Sequence, residues 1–384
     1  MEKKAICSLA VFGAFLWLLP SAGMGVGVTN VAGQAREQGL RRGDLVVEVN
    51  GRPIREPRWT SSWRSGPRPS EIPWGIAYVR QGEERQFKQP ADLAPKQPRG
   101  WAEVDCDKDH PGALQRAIDR ARPEDTILVS GTCNENVNIP VGKDLITLNG
   151  GGKATIHGPD ATLNTIMVRG RGITITAFTI TGGRAGVDVG RGGTAVIDGN
   201  TIESTGRNGI TVGGWGTANI VNNTIQKNAS HGILVNGNSW AFIGFRTADA
   251  TVASPNIIRN NGIHGISVTL SASARIVGNT ISDNMRNGVS VDRASQANIS
   301  DNTIDANGQN GIFVTENSGV NLGSDTGTGI FDAPNRTTVN NTLRGISCRM
   351  GGYGNGRLGT LNGNSGPKDF GTSCIDSLDR PDTF

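Results

Sequence analysis

The phrase Gly-Ile/Val-x-Val recurs down the second half of this 384-residue chain at a fixed interval, which limits that half to stacked, near-identical coils. It stands at Gly186-Val187-Asp188-Val189, Gly209-Ile210-Thr211-Val212, Gly232-Ile233-Leu234-Val235, Gly265-Ile266-Ser267-Val268, Gly288-Val289-Ser290-Val291 and Gly311-Ile312-Phe313-Val314, in steps of 23, 23, 33, 23 and 23 residues. A second phrase keeps the beat at Asn200-Thr201-Ile202, Asn223-Thr224-Ile225, Asn256-Ile257-Ile258, Asn279-Thr280-Ile281 and Asn302-Thr303-Ile304. A third apolar piece precedes most of these Asn residues, as in Ala195-Val196-Ile197 and Ala297-Asn298-Ile299. Three short strands per 23 residues define a solenoid.

Each piece alternates apolar with polar residues and is rich in Ile, Val and Thr, so one row faces a core and the next faces water. A single coil cannot bury its apolar row, so coils must stack, with Ile210 over Ile233, Ile266, Val289 and Ile312. Helical repeats fail because no window carries apolar residues at 3.6 spacing and Gly and Asn interrupt every few positions. Gly at 55 residues and aromatics at 5% suit tight corners around branched aliphatics. The expected class is all-β, a single-stranded parallel β-helix.

Asn200, Asn223, Asn256, Asn279 and Asn302 read as a structural ladder, each tolerating the left-handed backbone of a tight corner and bonding to coils above and below. Asn208, Asn287 and Asn310, just before the glycine, read as corner residues of the same kind. Two steps depart from 23: Asn223 to Asn256 and Asn302 to Asn335 each span 33 residues. Ile243-Gly244 precedes Pro255-Asn256 as Leu322-Gly323 precedes Pro334-Asn335, a 79-residue super-repeat. Both insertions leave from one corner, three coils or ~14 Å apart, where they either wall a shallow groove or stand as a duplicated neutral loop.

The first 23 residues read as an export signal: Lys3 and Lys4, an apolar run from Ala5 to Leu19, then small residues suited to cleavage near Ala22 or Gly23. The expected location is secreted, periplasmic or cell-surface, with membrane attachment only if the signal is retained. Four cysteines follow, Cys106, Cys133, Cys348 and Cys374; three pairings are open. Their placement, one pair near each solenoid end, favours Cys106–Cys133 and Cys348–Cys374 as locks on terminal caps. A capping helix is expected over Pro111 to Arg122, with Ala113, Leu114, Ala117, Ile118 and Ala121 on one face and Pro123 as its stop.

That helix, the strand Thr126-Ile127-Leu128-Val129 and the run Gly131 to Ile139 resemble the opening of the pectin-lyase-like right-handed β-helix superfamily, a likeness covering about residues 101–384. It implies a right-handed coil and a carbohydrate ligand lying along one sheet. Upstream, Gly39-Leu40-Arg41-Arg42-Gly43-Asp44-Leu45-Val46-Val47-Glu48-Val49-Asn50-Gly51 resembles the PDZ domains of bacterial periplasmic proteases. The expected physics is a short helix, an alternating strand with Leu45, Val47 and Val49 inward, an Asn-Gly hairpin turn, and a closing hairpin from Ala77 to Phe87. The elements that capture a peptide terminus in that family would precede the matched stretch, and residues 55–73, rich in Arg, Trp and Pro, replace its groove helix, so the unit is truncated. The resulting division is signal 1–23, truncated PDZ-like unit 24–90, linker 91–100 and β-helix 101–384.

The pectin-lyase likeness directs attention to the outward residues of the Gly-Ile/Val-x-Val strands: Asp188, Thr211, Leu234, Ser267, Ser290 and Phe313. Glycoside hydrolysis needs two carboxyl groups ~5–9.5 Å apart. Asp188 alone qualifies on this row. His264-Gly265-Ile266 is similar to the His-Gly motif of polygalacturonases, without the Asp residues those enzymes carry, and the Asp-Pro-His signature of alginate epimerases is absent. His231 and His264 hold equivalent positions on adjacent coils, as an acid/base pair or as plain corner residues. Arg184, Arg207 and Arg286 share a row, with Asp188 and Asp292 at strand ends, a pattern able to grip an acidic polysaccharide. Candidate catalytic residues are therefore Asp188, His231, His264 and Arg207, and candidate groove residues Arg184, Thr211, Ser267, Arg286, Ser290, Asp292 and Phe313.

No constellation is complete for a lyase, hydrolase or epimerase. No cofactor or metal is implied, since the two histidines lack a third ligand in phase. Nucleic acid is excluded as a partner by a net charge of +4 with no basic stripe. What remains is binding, with or without modification, of an acidic polysaccharide, against a non-catalytic scaffold docked to a protein through the PDZ-like unit.

Overall fold

The computed structural model describes backbone and side chains over residues 100–246, 253–323 and 333–380, the backbone of 249–252, and within residues 1–99 the backbone of seven strands. The chain divides into two compact units, Met1–Lys96 and Gln97–Phe384.

In the first unit the seven strands form an antiparallel sheet. Cys7–Val11 pairs with Ala14–Pro20, which pairs with Val26–Asn30, and that strand pairs with Leu45–Val49. Val49 lies opposite Arg52, and Ile76–Arg80 pairs with both Leu45–Val49 and Glu83–Gln86. The expected helix before Leu45, the segment 55–73 and the linker up to residue 99 lie outside the described residues.

The second unit opens with Trp101–Asp105, parallel to Thr126–Ser130. Between them runs helix α1, Ala113–Arg120, with Leu114 and Ile118 fully buried against the first strands. Gly112 at its start offers no side-chain cap. Glu135, two strands downstream, takes that role, accepting the Leu114 and Gln115 N–H groups at 3.1 and 3.0 Å, where a carboxylate also opposes the helix dipole. Disulfides join Cys106 to Cys133 and Cys348 to Cys374.

Ten parallel strands stack in register as one sheet of the solenoid: Val137–Ile139, Ile166–Val168, Val187–Gly190, Ile210–Gly213, Ile233–Asn236, Ile266–Thr269, Val289–Val291, Ile312–Val314, Ile346–Cys348 and Lys368–Phe370. Six carry the Gly-Ile/Val-x-Val phrase; the two at each end do not, although Gly345-Ile346-Ser347-Cys348 differs only in its last residue. The other two strand rows belong to one long sheet, because Thr147–Gly158 and Ile173–Gly182 each run through both rows, with a register shift between Asn149 and Ala154. Ile210, Ile233, Ile266, Val289 and Ile312 have no exposed surface, and neither do the columns Ile197 to Ile299 and Ile202 to Ile304. At about 1.5–3 kcal/mol per fully buried aliphatic, these columns are the main source of cohesion between coils.

The repeated glycine has a steric cause. A Cβ on Gly209 would lie 2.6 Å from Ile225 Cγ2 and 2.7 Å from the Gly232 carbonyl oxygen of the next coil, and Gly265 meets the same two obstacles. Coil spacing, rather than a special backbone angle, demands Gly there.

Asn200, Asn223, Asn256, Asn279, Asn302 and Asn335 form a continuous buried ladder. In each of the first five, the backbone N–H and the side-chain amide both donate to Oδ1 of the next Asn, at 2.9–3.1 Å. The left-handed backbone stands elsewhere than expected: Gly199, Asn222, Gly278 and Asp301, one residue earlier, have φ of 68°, 57°, 74° and 52°. The ladder residues must aim both backbone and side-chain N–H along the solenoid axis, which the preceding bend permits. A second ladder, missed in the sequence, runs through Asn228, Asn261, Asn284, Asn307 and Asn341.

Candidate functional site: a groove on the ten-strand sheet

Size alternation along one outward row makes a depression. Leu234, Ser267, Ser290 and Phe313 are successive register partners, so two small side chains lie between two large ones. Ser267 and Ser290 are only 4% and 3% exposed, although they point away from the core. They floor a groove of about 510 Å3 spanning five coils. One wall carries Arg207, His231, His264, Arg286, Asn287 and Gln309; the other carries Asn236, Thr269, Leu270, Asp292, Arg293, Thr315 and Glu316.

The first wall is built on a row of backbone-tied side chains. Asn208 Oδ1 accepts the His231 N–H at 3.3 Å, His231 Nδ1 accepts the His264 N–H at 3.4 Å, His264 Nδ1 accepts the Asn287 N–H at 3.1 Å, and Asn287 Oδ1 accepts the Asn310 N–H at 3.0 Å. The imidazoles stack with centroids 5.2 Å apart, about one coil spacing. Burial, then the charges of Arg207 and Arg286, push His231 down to about 4; burial, then His231 and Arg286, push His264 down to about 3. Both rings are neutral near pH 7. Arg207 and Arg286 stand at the two ends of this pair, and neither meets a carboxylate among the described residues.

The opposite wall sets one guanidinium between two carboxylates. Arg293 Nε lies 4.0 Å from Asp292 and 3.6 Å from Glu316, and Asp292 also accepts the Thr269 hydroxyl.

The structure thus brings together His231, His264, Arg207, Ser267, Arg286, Ser290, Asp292 and Phe313, and leaves Asp188, Arg184 and Thr211 outside the groove. Asp188 is held by Arg169, whose Nη2 donates at 2.6 Å while Nη1 reaches the Val168 and Asp188 carbonyls. The same clamp recurs near the far end of the sheet, where Arg349 Nη2 donates to Asp369 at 2.7 Å and Nη1 to the Cys348 and Asp369 carbonyls. That partner holds Asp369 below the usual carboxylate range. The inserted segments after Ile243 and Leu322 contribute no described residue to this groove, and most of each lies outside the described residues, which leaves both readings of them open. Residues missed in the sequence, such as Asn236, Thr269, Arg293, Thr315 and Glu316, sit at the last position of a strand or just past it, where only the register identifies them. One cluster of ligand-type side chains close enough for a metal occurs among the described residues, Cys106, Cys133 and Glu135, and its two sulfurs are bonded to each other.

This architecture defines the class. The model of the right-handed β-helix region matches residues 125–247 and 164–348, together more than half of the chain, and the protein belongs to that family. Among solved structures, it is similar to an alginate lyase from Paenibacillus sp. str. FPU-7 (17% identity, TM-score 0.44, covering 72% of this chain and 99% of that one). It is also similar to the periplasmic alginate epimerase AlgG (16%, 0.42, 72% and 82%) and to pectate lyase Pel9A (11%, 0.39, 73% and 78%). No curated protein matches the chain.

Proposed function

We propose that this is an exported protein whose β-helix binds an acidic polysaccharide along the outer face of the ten-strand sheet. The observation that carries this reading is the pair Arg207 and Arg286, without a carboxylate partner among the described residues, on one wall of a groove that crosses five coils. Five coils give about 19 Å of axial length, suited to several units of a linear polymer rather than one small molecule. Guanidinium groups supply paired donors for carboxylates or sulfates. The serine floor and the polar second wall offer hydroxyl and carboxylate partners for sugar hydroxyls. Two disulfides agree with folding in an oxidising compartment, hence with export.

Binding without chemistry is the better supported half of the proposal, because Asp188 and Asp292 are both engaged by protein partners. The test is retention of the full chain on immobilised acidic and neutral glycans, with mass spectrometry of the eluted sugars. Retention on acidic glycans with unchanged sugars is the expected result. New unsaturated, shortened or epimerised products would make the protein an enzyme, and equal retention on neutral glycans would remove the charge argument.

A further inference from the structure

The groove holds two ring nitrogens that the reading above leaves unassigned. A backbone N–H can only donate, so the His264 and Asn287 N–H groups require an unprotonated Nδ1 on His231 and His264 respectively. Asn208 and Asn287, in the same row, present a side-chain acceptor to the next coil in the same way, which makes acceptance a rule of this corner rather than a property of histidine. A neutral imidazole with Nδ1 accepting carries its proton on Nε2. Nε2 lies across the ring from that backbone bond, on residues that line the groove.

We propose that His231 and His264 serve as fixed Nε2–H donors for the ligand, so that the wall from Arg207 to Arg286 is a continuous row of donors selecting ligand oxygens as acceptors. This rests on the glycan reading of the groove. Neither ring is a general base in this state: Nδ1 is taken by the backbone and Nε2 already holds a proton. The depressed basicity of both rings agrees, since the flanking guanidinium charges oppose a second proton. Ligand oxyanions would lie between two cations, with the neutral donors between them setting direction rather than charge.

The row supplies its own control. Asn stands at the equivalent positions 208 and 287 and accepts the same backbone bond, so His231→Asn with His264→Asn keeps the corner and removes both ring donors. Two measurements on the full chain decide the matter. Nitrogen NMR of wild-type protein labelled at histidine should show both rings as Nε2–H tautomers that do not titrate between pH 7 and 5. The double variant should unfold within about 4 °C of wild type. It should also bind a uronic-acid oligosaccharide at least about tenfold more weakly. A proton on Nδ1, titration of either ring near pH 6.5, or unchanged affinity in the folded double variant would overturn the assignment. Should wild type bind no acidic glycan, the groove reading itself falls, while the ring-nitrogen spectrum still decides the tautomers.

Discussion

Two rows of corner residues run along the central coils of the solenoid and do the same backbone work in opposite directions. In the buried row from Asn200 to Asn335, each backbone N–H donates forward to the next side chain. In the groove row, from Asn208 through His231 and His264 to Asn310, each backbone N–H donates back to the preceding side chain. The buried row is all Asn because only an amide can accept two bonds and donate two within that space. The groove row needs one acceptor per coil, so histidine is admissible, and its second nitrogen is left for solvent or ligand. Identical structural demand with one spare valence is what turns a corner into a candidate site.

The largest expected effect breaks the buried row. Asn256→Ala leaves the Asn223 backbone N–H and side-chain amide without their acceptor and removes the donor to Ile220 and Asn279. A loss of about 2–4 kcal/mol in unfolding free energy is expected, read by denaturant titration.

The second prediction concerns pH. Because the folded state keeps His231 neutral down to about 4 and His264 to about 3, against an ordinary value of 6.5, the unfolded chain takes up protons first. Stability conferred by these rings is complete above pH 6.5 and is lost progressively as pH falls toward 4, by at most about 3 kcal/mol for His231. Thermal unfolding from pH 7 to 4.5 should show this slope in wild type and a shallower one in the double Asn variant. Equal slopes would mean that the rings are not desolvated.

Removing both groove guanidiniums comes next. Arg207→Ala with Arg286→Ala should weaken binding of a uronic-acid oligosaccharide by about 10–100-fold and leave the unfolding temperature unchanged. The smallest effect on binding is expected for Asp188→Asn, which weakens a largely buried clamp outside the groove: about 1–3 kcal/mol of stability and no change in glycan affinity. A large loss of binding there would shift the site toward the amino-terminal coils.

Much of the solenoid was legible because its cause is periodic. The 23-residue beat places Ile210, Ile233, Ile266, Val289 and Ile312 in one column before any coordinates are known, and they stack as the beat requires. The two coils at each end were not legible because strands such as Ile166–Val168 and Lys368–Phe370 lack the repeating glycine. The Arg169 clamp was hidden because its partner is 19 residues away, a distance that means nothing until the coil length is applied. The groove was half legible. Its serines and Phe313 were read from the outward row, but depth is a difference in side-chain size across coils, and the second wall lies on residues at or just beyond the end of each strand. The donor role of the histidines needed a direction for one backbone bond, which no repeat pattern encodes.

The central claim, that the Arg207 to Arg286 wall reads acidic groups on a glycan, is met most directly by calorimetric titration of the full chain. A uronic-acid oligosaccharide would be compared with the same oligosaccharide after reduction of its carboxyl groups. The account predicts measurable binding to the native sugar, its loss on reduction, and no difference between the two sugars in the Arg207→Ala, Arg286→Ala variant. Equal binding of native and reduced sugar by wild type would contradict it.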